Sequence, residues 1–337
     1  MESVWQSTLK SRRWPDRACV QFKFCLANST LSLYNGYISK YVNFCDSRGA
    51  RIDDEPLLVE FLCNVSDGSD RPKSALICAK SALGHLFNAQ GMCDMLSNPW
   101  IKNLTTALVK SGTKEARRRS SVIPTGPIRE LLSSWPDNES LDTKRLRQKC
   151  ITVMALSLML RPPDLSPKGL SYCSSTGLVS AMIFERQHVT FREDGSAAVT
   201  FLGIKNDTLR DGFTVTLTPS SDPVMCPVSA LSAYMSRTAP VAPHPCDPVF
   251  VALRRPFKAL SAQAVASVLN ATLAMCNMHE YSAKDFRPTG ATLQVRGGVD
   301  PKTVMKVGRW KTESVFFDHY VHSEPPAEFS DNVLLSV

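Results

Sequence analysis

One stretch in the second half of the chain limits its fold more than any other. From Leu141 to Leu160 the residues favour a helix, with Ser140 and Asp142 as capping candidates, and after Cys150 the stretch is apolar on nearly every face. A surface helix carries one apolar stripe; a helix apolar all round has to be enclosed by other elements. Pro162-Pro163 stops it, since proline has no amide proton to donate and pushes the preceding residue out of helical geometry. That preceding residue is Arg161. A long cation at the end of a core helix is costly to bury unless paired, so Arg161 either reaches solvent or pairs with Asp164.

The residues that follow change period. His188–Arg192 and Ala198–Ile204 flank the turn signal Glu193-Asp-Gly-Ser, and Phe213, Val215 and Leu217 alternate with threonines in a third strand. A small antiparallel sheet is therefore expected between helices, with Lys205 at a hairpin tip. Taken alone, a lysine at such a tip is a solubilising residue. Ala239–Pro248 and Pro325-Pro326 read as loops. Helices then return: Ala262–Met278, a helix with Pro288 in its first turn and Gly297-Gly298 at its end, a short one from Asp300-Pro301 to Gly308, and a last one from Glu313 through Tyr320 capped by Thr312. Arg287 is a second pre-proline arginine, held at a junction like Arg161.

The front of the chain shows helical spacing only. Leu31, Tyr34, Ile38, Tyr41 and Cys45 recur at three- and four-residue steps behind Ser29 or Thr30; further helices open near Pro56, run through Ala75–Phe87, and start at Asn98-Pro99. At 337 residues the chain is about twice a typical domain. The expected organisation is a helical domain over 1–110, a basic linker over 111–127 and a second domain over 128–337. The fold class is mainly α with a small antiparallel β-sheet, in two domains. Of the net charge of +8, the first 127 residues hold +6 and the rest +2. A basic module beside a near-neutral one points to a polyanionic partner. The linker carries Arg117, Arg118 and Arg119, and its composition fits a connector lying along phosphates as well as a solvated spacer.

Other classes drop out. No apolar run approaches the roughly 20 residues of a membrane helix, and Met1–Pro15 has no signal-peptide core. Eleven cysteines are scattered without a C-x-x-C pair, which fits thiols in a reducing compartment better than disulfides or zinc. His319 and His322 flank Tyr320 with no third ligand, so no metal is expected.

Five segments occur in a specific order: Leu160-Arg-Pro-Pro-Asp-Leu165, Gly203-Ile-Lys205, Lys284-Asp-Phe-Arg-Pro-Thr-Gly-Ala-Thr292, Val307-Gly-Arg-Trp-Lys311 and Phe316-Phe-Asp-His-Tyr320. Together they resemble the catalytic domain of tyrosine recombinases, and their wording is closest to the Crypton-like recombinases of eukaryotic mobile elements. The resemblance covers residues 128–325; the front helices and linker are similar in layout to that family's core-binding domain. It implies that Arg161 and Arg287 clamp the scissile phosphate, that Lys205 protonates the leaving 5′-oxygen, that Trp310 fills the family's His/Trp position and that Tyr320 is the nucleophile. Lys284 departs from the pattern, standing where many members have His, although the related type IB topoisomerases carry Lys there. The step from Trp310 to Tyr320 is about one residue longer than in many members. Arg309 and Lys311 join Arg117, Arg118 and Arg119 as expected DNA contacts.

The chemistry wants these residue types. Attack on a phosphodiester builds charge on non-bridging oxygens, which two always-protonated guanidiniums hold bidentately. A phenol with an ordinary pKa of about 10 needs cations or a base nearby to ionise. A phosphotyrosyl link conserves the bond, so the scheme needs no cofactor, metal or ATP. The implied partners are double-stranded DNA and three further copies of the chain, a homotetramer on two DNA sites, with no membrane and no small-molecule substrate. By resemblance the apolar tail, with Phe329 and Leu334-Leu335, docks on a neighbouring protomer. The implied activity is site-specific strand cleavage and rejoining for mobile-element integration or excision, in the nucleus of a eukaryote and otherwise in the cytoplasm. Two alternatives stand beside it: a domesticated, catalytically weakened DNA-binding protein, and a type IB topoisomerase-like relaxase. Singly, Tyr320 and Trp310 read as core aromatics; the ordered set carries the inference.

Overall fold

The all-apolar helix is present and enclosed, as its sequence requires. In a computed structural model of the chain the residues described are 12–13, 15–22, 25–26, 28–111, 121–172, 179–203 and 212–321. Lys205, Arg117, Arg118, Arg119, His322 and the apolar tail lie outside them. The chain divides into two compact units, Met1–Arg118 with Ser171–Leu178, and Arg119–Leu170 with Val179–Val337.

Helices α1 (Asp16–Phe22), α2 (Asn28–Asp46), α3 (Glu55–Asp67), α4 (Pro72–Ala89) and α5 (Pro99–Ser111) lie in the first unit. Their apolar positions meet in one core containing Tyr41, Leu58, Leu62, Leu83 and Phe87, all essentially sealed from solvent. The Tyr41 ring stands edge-on to Phe61 and Phe87, and its hydroxyl donates to the Ile52 carbonyl, so the buried phenol keeps a partner. The starts are chemically marked: Asp54 accepts from the Leu57 amide at α3, and Asn98 accepts from the Trp100 amide at α5.

The second unit is built around α7 (Thr143–Ser157), whose residues from Gln148 to Leu156 are all buried. Asp142 caps it through the Lys144 and Arg145 amides. It ends at Ser157 rather than at Leu160. Met159 turns into the left-handed region (φ 52°), so Leu158–Leu160 form the exit that delivers Arg161 to its extended pre-proline geometry. Strands β3 (Val189–Phe191), β4 (Ala197–Phe201) and β5 (Phe213–Leu217) form the antiparallel sheet, with Val189 opposite Val199, Val199 opposite Val215 and Phe201 opposite Phe213. Helices α9 (Ala262–Met275), α10 (Phe286–Arg296), α11 (Pro301–Gly308) and α12 (Glu313–His319) complete the unit. The architecture is mainly helical with a small antiparallel sheet, as the spacing predicts.

Four local expectations are corrected. Helix α6 (Thr125–Ser133) starts inside the stretch read as linker, because Gly126-Pro127 falls in a first turn, where a missing amide proton costs nothing. Three more elements were missed: the ladder of the short strands β1 (Lys168–Tyr172) and β2 (Val179–Met182), and α8 (Pro227–Thr238), which opens on the Cys226 cap. Helix α9 stops at Met275, short of Met278. Arg287 is not at a junction but the second residue of α10, because Pro288 sits in that helix's first turn. No helix among the described residues is long and apolar enough to cross a membrane.

Candidate active site

Four of the six residues expected to carry chemistry converge from separate stretches of the second unit. Arg161 follows the exit from α7 in extended geometry (φ −91°, ψ 153°), its amide held 2.8 Å from Asp164 Oδ2. Arg287 projects from the first turn of α10 and is 3% exposed. Its Nη1 donates to the Met159 carbonyl and its Nη2 to the Gly308 carbonyl, each at 2.5 Å. Its guanidinium carbon lies 4.0 Å from the Trp310 ring centroid and 5.3 Å from that of Tyr320.

The residues around Arg287 explain how α10 reaches this position. A Cβ on Gly290 would lie 2.3 Å from the Leu156 carbonyl oxygen, so only glycine lets α10 cross α7 this closely. Thr289 Oγ1 donates to the Asp285 carbonyl and accepts from the Ile123 amide. Thr292 Oγ1 donates to the Tyr320 carbonyl at 3.1 Å, tying α10 to the end of α12.

Trp310 is positioned by the end of α11. Gly308 closes that helix and Arg309 turns left-handed (φ 62°, ψ 42°), folding the indole back so far that a Cβ on Gly308 would sit 1.7 Å from the ring. The indole meets Phe316 and Tyr320 edge-on, at 4.9 and 4.8 Å between centroids. Tyr320 follows α12, half-buried, with its amide bonded to the Phe316 carbonyl. Arg287 Nε and Trp310 Nε1 are both buried donors without a protein partner among the described residues. Buried donors are normally satisfied, so two such groups side by side mark a place for an acceptor.

Electrostatics agree with the geometry. Burial, then the charge of Arg161, pushes the Arg287 guanidinium down to about 9, with Asp164 acting the other way. It stays a cation at neutral pH. Burial works against ionising Tyr320, but hydrogen bonding and charge from Arg161, with the charge of Arg287, outweigh it and leave the phenol below its ordinary value. Two cations, an indole N–H and an acidified phenol can together receive a tetrahedral oxyanion and attack it.

Lys284 is exposed on the 3₁₀ turn Ala283–Asp285, and Lys311 is exposed after Trp310. Arg309, expected at DNA, instead faces the protein: its side chain is 11% exposed, bonds Asp164 Oδ2 at 3.3 Å, and burial lowers its guanidinium's pKa. Sequence reasoning missed the supporting parts, namely Gly290, Thr289, Thr292 and Gly308. The signal was present in the Arg-Pro-Thr-Gly-Ala-Thr and Gly-Arg-Trp-Lys wording, but the contacts of Gly290 with Leu156, of Thr289 with Ile123 and of Thr292 with Tyr320 join distant parts of the chain.

No protein-family model matches this sequence, and comparison with curated proteins finds no match. Solved structures do match. The Tn1549 transposon integrase in complex with transposon right-end DNA superposes with a TM-score of 0.59 at 12% identity, over 99% of each chain. A lambda integrase dimer bound to a core site gives 0.54 at 13% identity, over 92% of this chain and 94% of that one. The fold is that of the tyrosine recombinases. A third tyrosine recombinase, XerH bound to its difH substrate, gives 0.53 at 12% identity, over 90% of this chain and 78% of that one. Within the tyrosine-recombinase fold of this chain, Arg161, Arg287, Trp310 and Tyr320 come from the α7 exit, α10, the α11 end and the α12 end, so only folding assembles them.

Proposed function

We propose that the chain is a site-specific DNA recombinase that cleaves and rejoins strands through a phosphotyrosine at Tyr320. The observation that carries this reading is the Tyr320 phenol beside Trp310 and two guanidiniums, acidified against the effect of its own burial. Arg161 and Arg287 hold the non-bridging oxygens of one phosphodiester, and the free donors of Arg287 and Trp310 complete the cradle. Tyr320 loses its proton to solvent and its phenolate oxygen attacks phosphorus; the bond to the 5′-oxygen breaks, and that oxygen takes a proton from Lys205, which the attacking 5′-hydroxyl restores in the rejoining step. The 3′-phosphotyrosine is then attacked by a 5′-hydroxyl of a second strand, which returns the phenol. Rejoining to a different strand requires two sites in one assembly, which a tetramer on two duplexes supplies. The basic front module provides sequence-independent attraction to DNA. Movement of a mobile element, in the nucleus of a eukaryote, is the context this chemistry serves.

The test is covalent capture. Full-length protein is incubated with a pool of nicked duplexes of randomised sequence, and complexes surviving detergent are recovered and sequenced. Wild type should enrich one site and Tyr320→Phe should yield none. Equal capture by both would refute the assignment of Tyr320. Binding without any covalent product would leave the DNA-binding reading that the Lys284 departure raises.

A further inference from the structure

Arg309 stands beside the site with its guanidinium turned to Asp164. It is a non-glycine residue in the left-handed region, a backbone state that a side chain makes unfavourable, at the turn that folds Trp310 back over Gly308. Its side chain makes two sets of contacts. One end of the guanidinium meets Asp164 Oδ2, the same oxygen that holds the Arg161 amide. Its carbon also lies 5.8 Å from the Phe201 ring centroid and 5.7 Å from that of Phe213, within cation–π range of both. Phe201 and Phe213 are the last paired residues of β4 and β5, so they form the root of the hairpin whose connecting segment carries Lys205. One buried side chain thus touches the hairpin root and the carboxylate that shapes the Arg161 turn, while its own backbone sets Trp310.

We infer that Arg309 is a positioning residue that ties the Lys205 hairpin to the arginine clamp, and that it is not a DNA contact. A planar guanidinium suits this task, since it can bond a carboxylate through its edge while lying against aromatic rings, which an ammonium does less well. The inference rests on the proposed reaction, in which Lys205 supplies the leaving-group proton. Losing the tie should therefore impair protonation of the departing oxygen more than attack by Tyr320.

The test compares wild type with Arg309→Met, and with Arg309→Lys as the variant that keeps a charge, on two nicked duplexes at saturating concentration. One duplex has the natural phosphate; the other has sulfur in place of the bridging 5′-oxygen, whose thiolate leaves without a proton when the P–S bond breaks. Arg309→Met should slow cleavage of the natural duplex by about tenfold or more, with Arg309→Lys falling between it and wild type, and the sulfur duplex should return both to within about twofold of wild type. DNA affinity should be unchanged. Hydrogen exchange should quicken at the Phe201 and Phe213 amides while α7 stays protected. Equal slowing on both duplexes, or weaker DNA binding with a normal saturated rate, would overturn the inference. So would unchanged exchange at the hairpin root. If wild type itself forms no covalent product, the proposed function fails, and the exchange measurement still decides whether Arg309 holds the hairpin.

Discussion

The guanidinium carbon of Arg287 lies 4.0 Å from the centroid of the Trp310 indole. No carboxylate pairs with this buried cation in the described hydrogen bonds; two carbonyls and an aromatic face hold it instead. A buried charge supported this way is costly to the free protein and is suited to receiving an anion. Inorganic phosphate tests this directly. At tenfold above its dissociation constant it should stabilise the DNA-free wild type by about 1.4 kcal/mol in thermal unfolding, and Arg161→Gln should lose most of that gain.

The pH dependence of cleavage follows from Tyr320. Its phenol sits below the ordinary value of about 10 because Arg161 and Arg287 outweigh the effect of burial. A lower pKa means more phenolate at a given pH, so the single-turnover rate should rise with pH through a midpoint below that of a free phenol. Arg161→Gln removes a cation, raises the phenol's pKa and should move that midpoint upward. An unmoved profile would mean that another group controls attack.

Trp310 separates packing from hydrogen bonding. Its Nε1 has no partner among the described residues, while its ring packs on Phe316 and Tyr320. Trp310→Phe keeps an aromatic ring and removes the donor, so cleavage should fall by about a hundredfold. Trp310→His supplies a ring donor and should recover part of that loss. Tryptophan fluorescence and thermal unfolding of each variant separate a lost donor from a collapsed site.

Gly290→Ala tests the helix crossing that brings Arg287 into the site. The added methyl would meet the Leu156 carbonyl oxygen at 2.3 Å, so α10 and α7 have to separate. Urea unfolding should show a loss of about 1–3 kcal/mol. Any folded fraction should cleave poorly, because Arg287 rides on α10.

Lys284 is exposed on its turn, so replacing it should leave thermal stability unchanged and any effect on cleavage should be chemical. If it works in the reaction, Lys284→Ala should slow cleavage by about tenfold or more, and Lys284→His should retain more activity than Ala. A large gain with His instead would identify the present enzyme as weakened at this position.

How much of this was legible in the sequence follows from the range of each interaction. The helix starts at Asp142 and Asp300 were readable because a cap and its amide lie within a few residues. The β3–β4 turn was readable from Glu193-Asp-Gly-Ser for the same reason. The β1–β2 strands were not, being only five and four residues long; the apolar steps Val228, Leu231 and Met235 of α8 are present in the sequence and were missed. Arg309 shows the same limit at the site: its motif was visible, but its burial against Asp164, Phe201 and Phe213 was not.

By itself, then, the sequence determined the enclosed helix, most of the helices, the β3–β5 sheet, and the set of residue types suited to phosphoryl transfer. The short-range physics of capping, proline geometry and apolar spacing is written in neighbouring residues. Only the tertiary structure decided that Gly290 is needed for close approach and that Arg309 turns inward. Those outcomes depend on excluded volume and charge between atoms far apart along the chain, here Gly290 against Leu156 and Arg309 against Asp164.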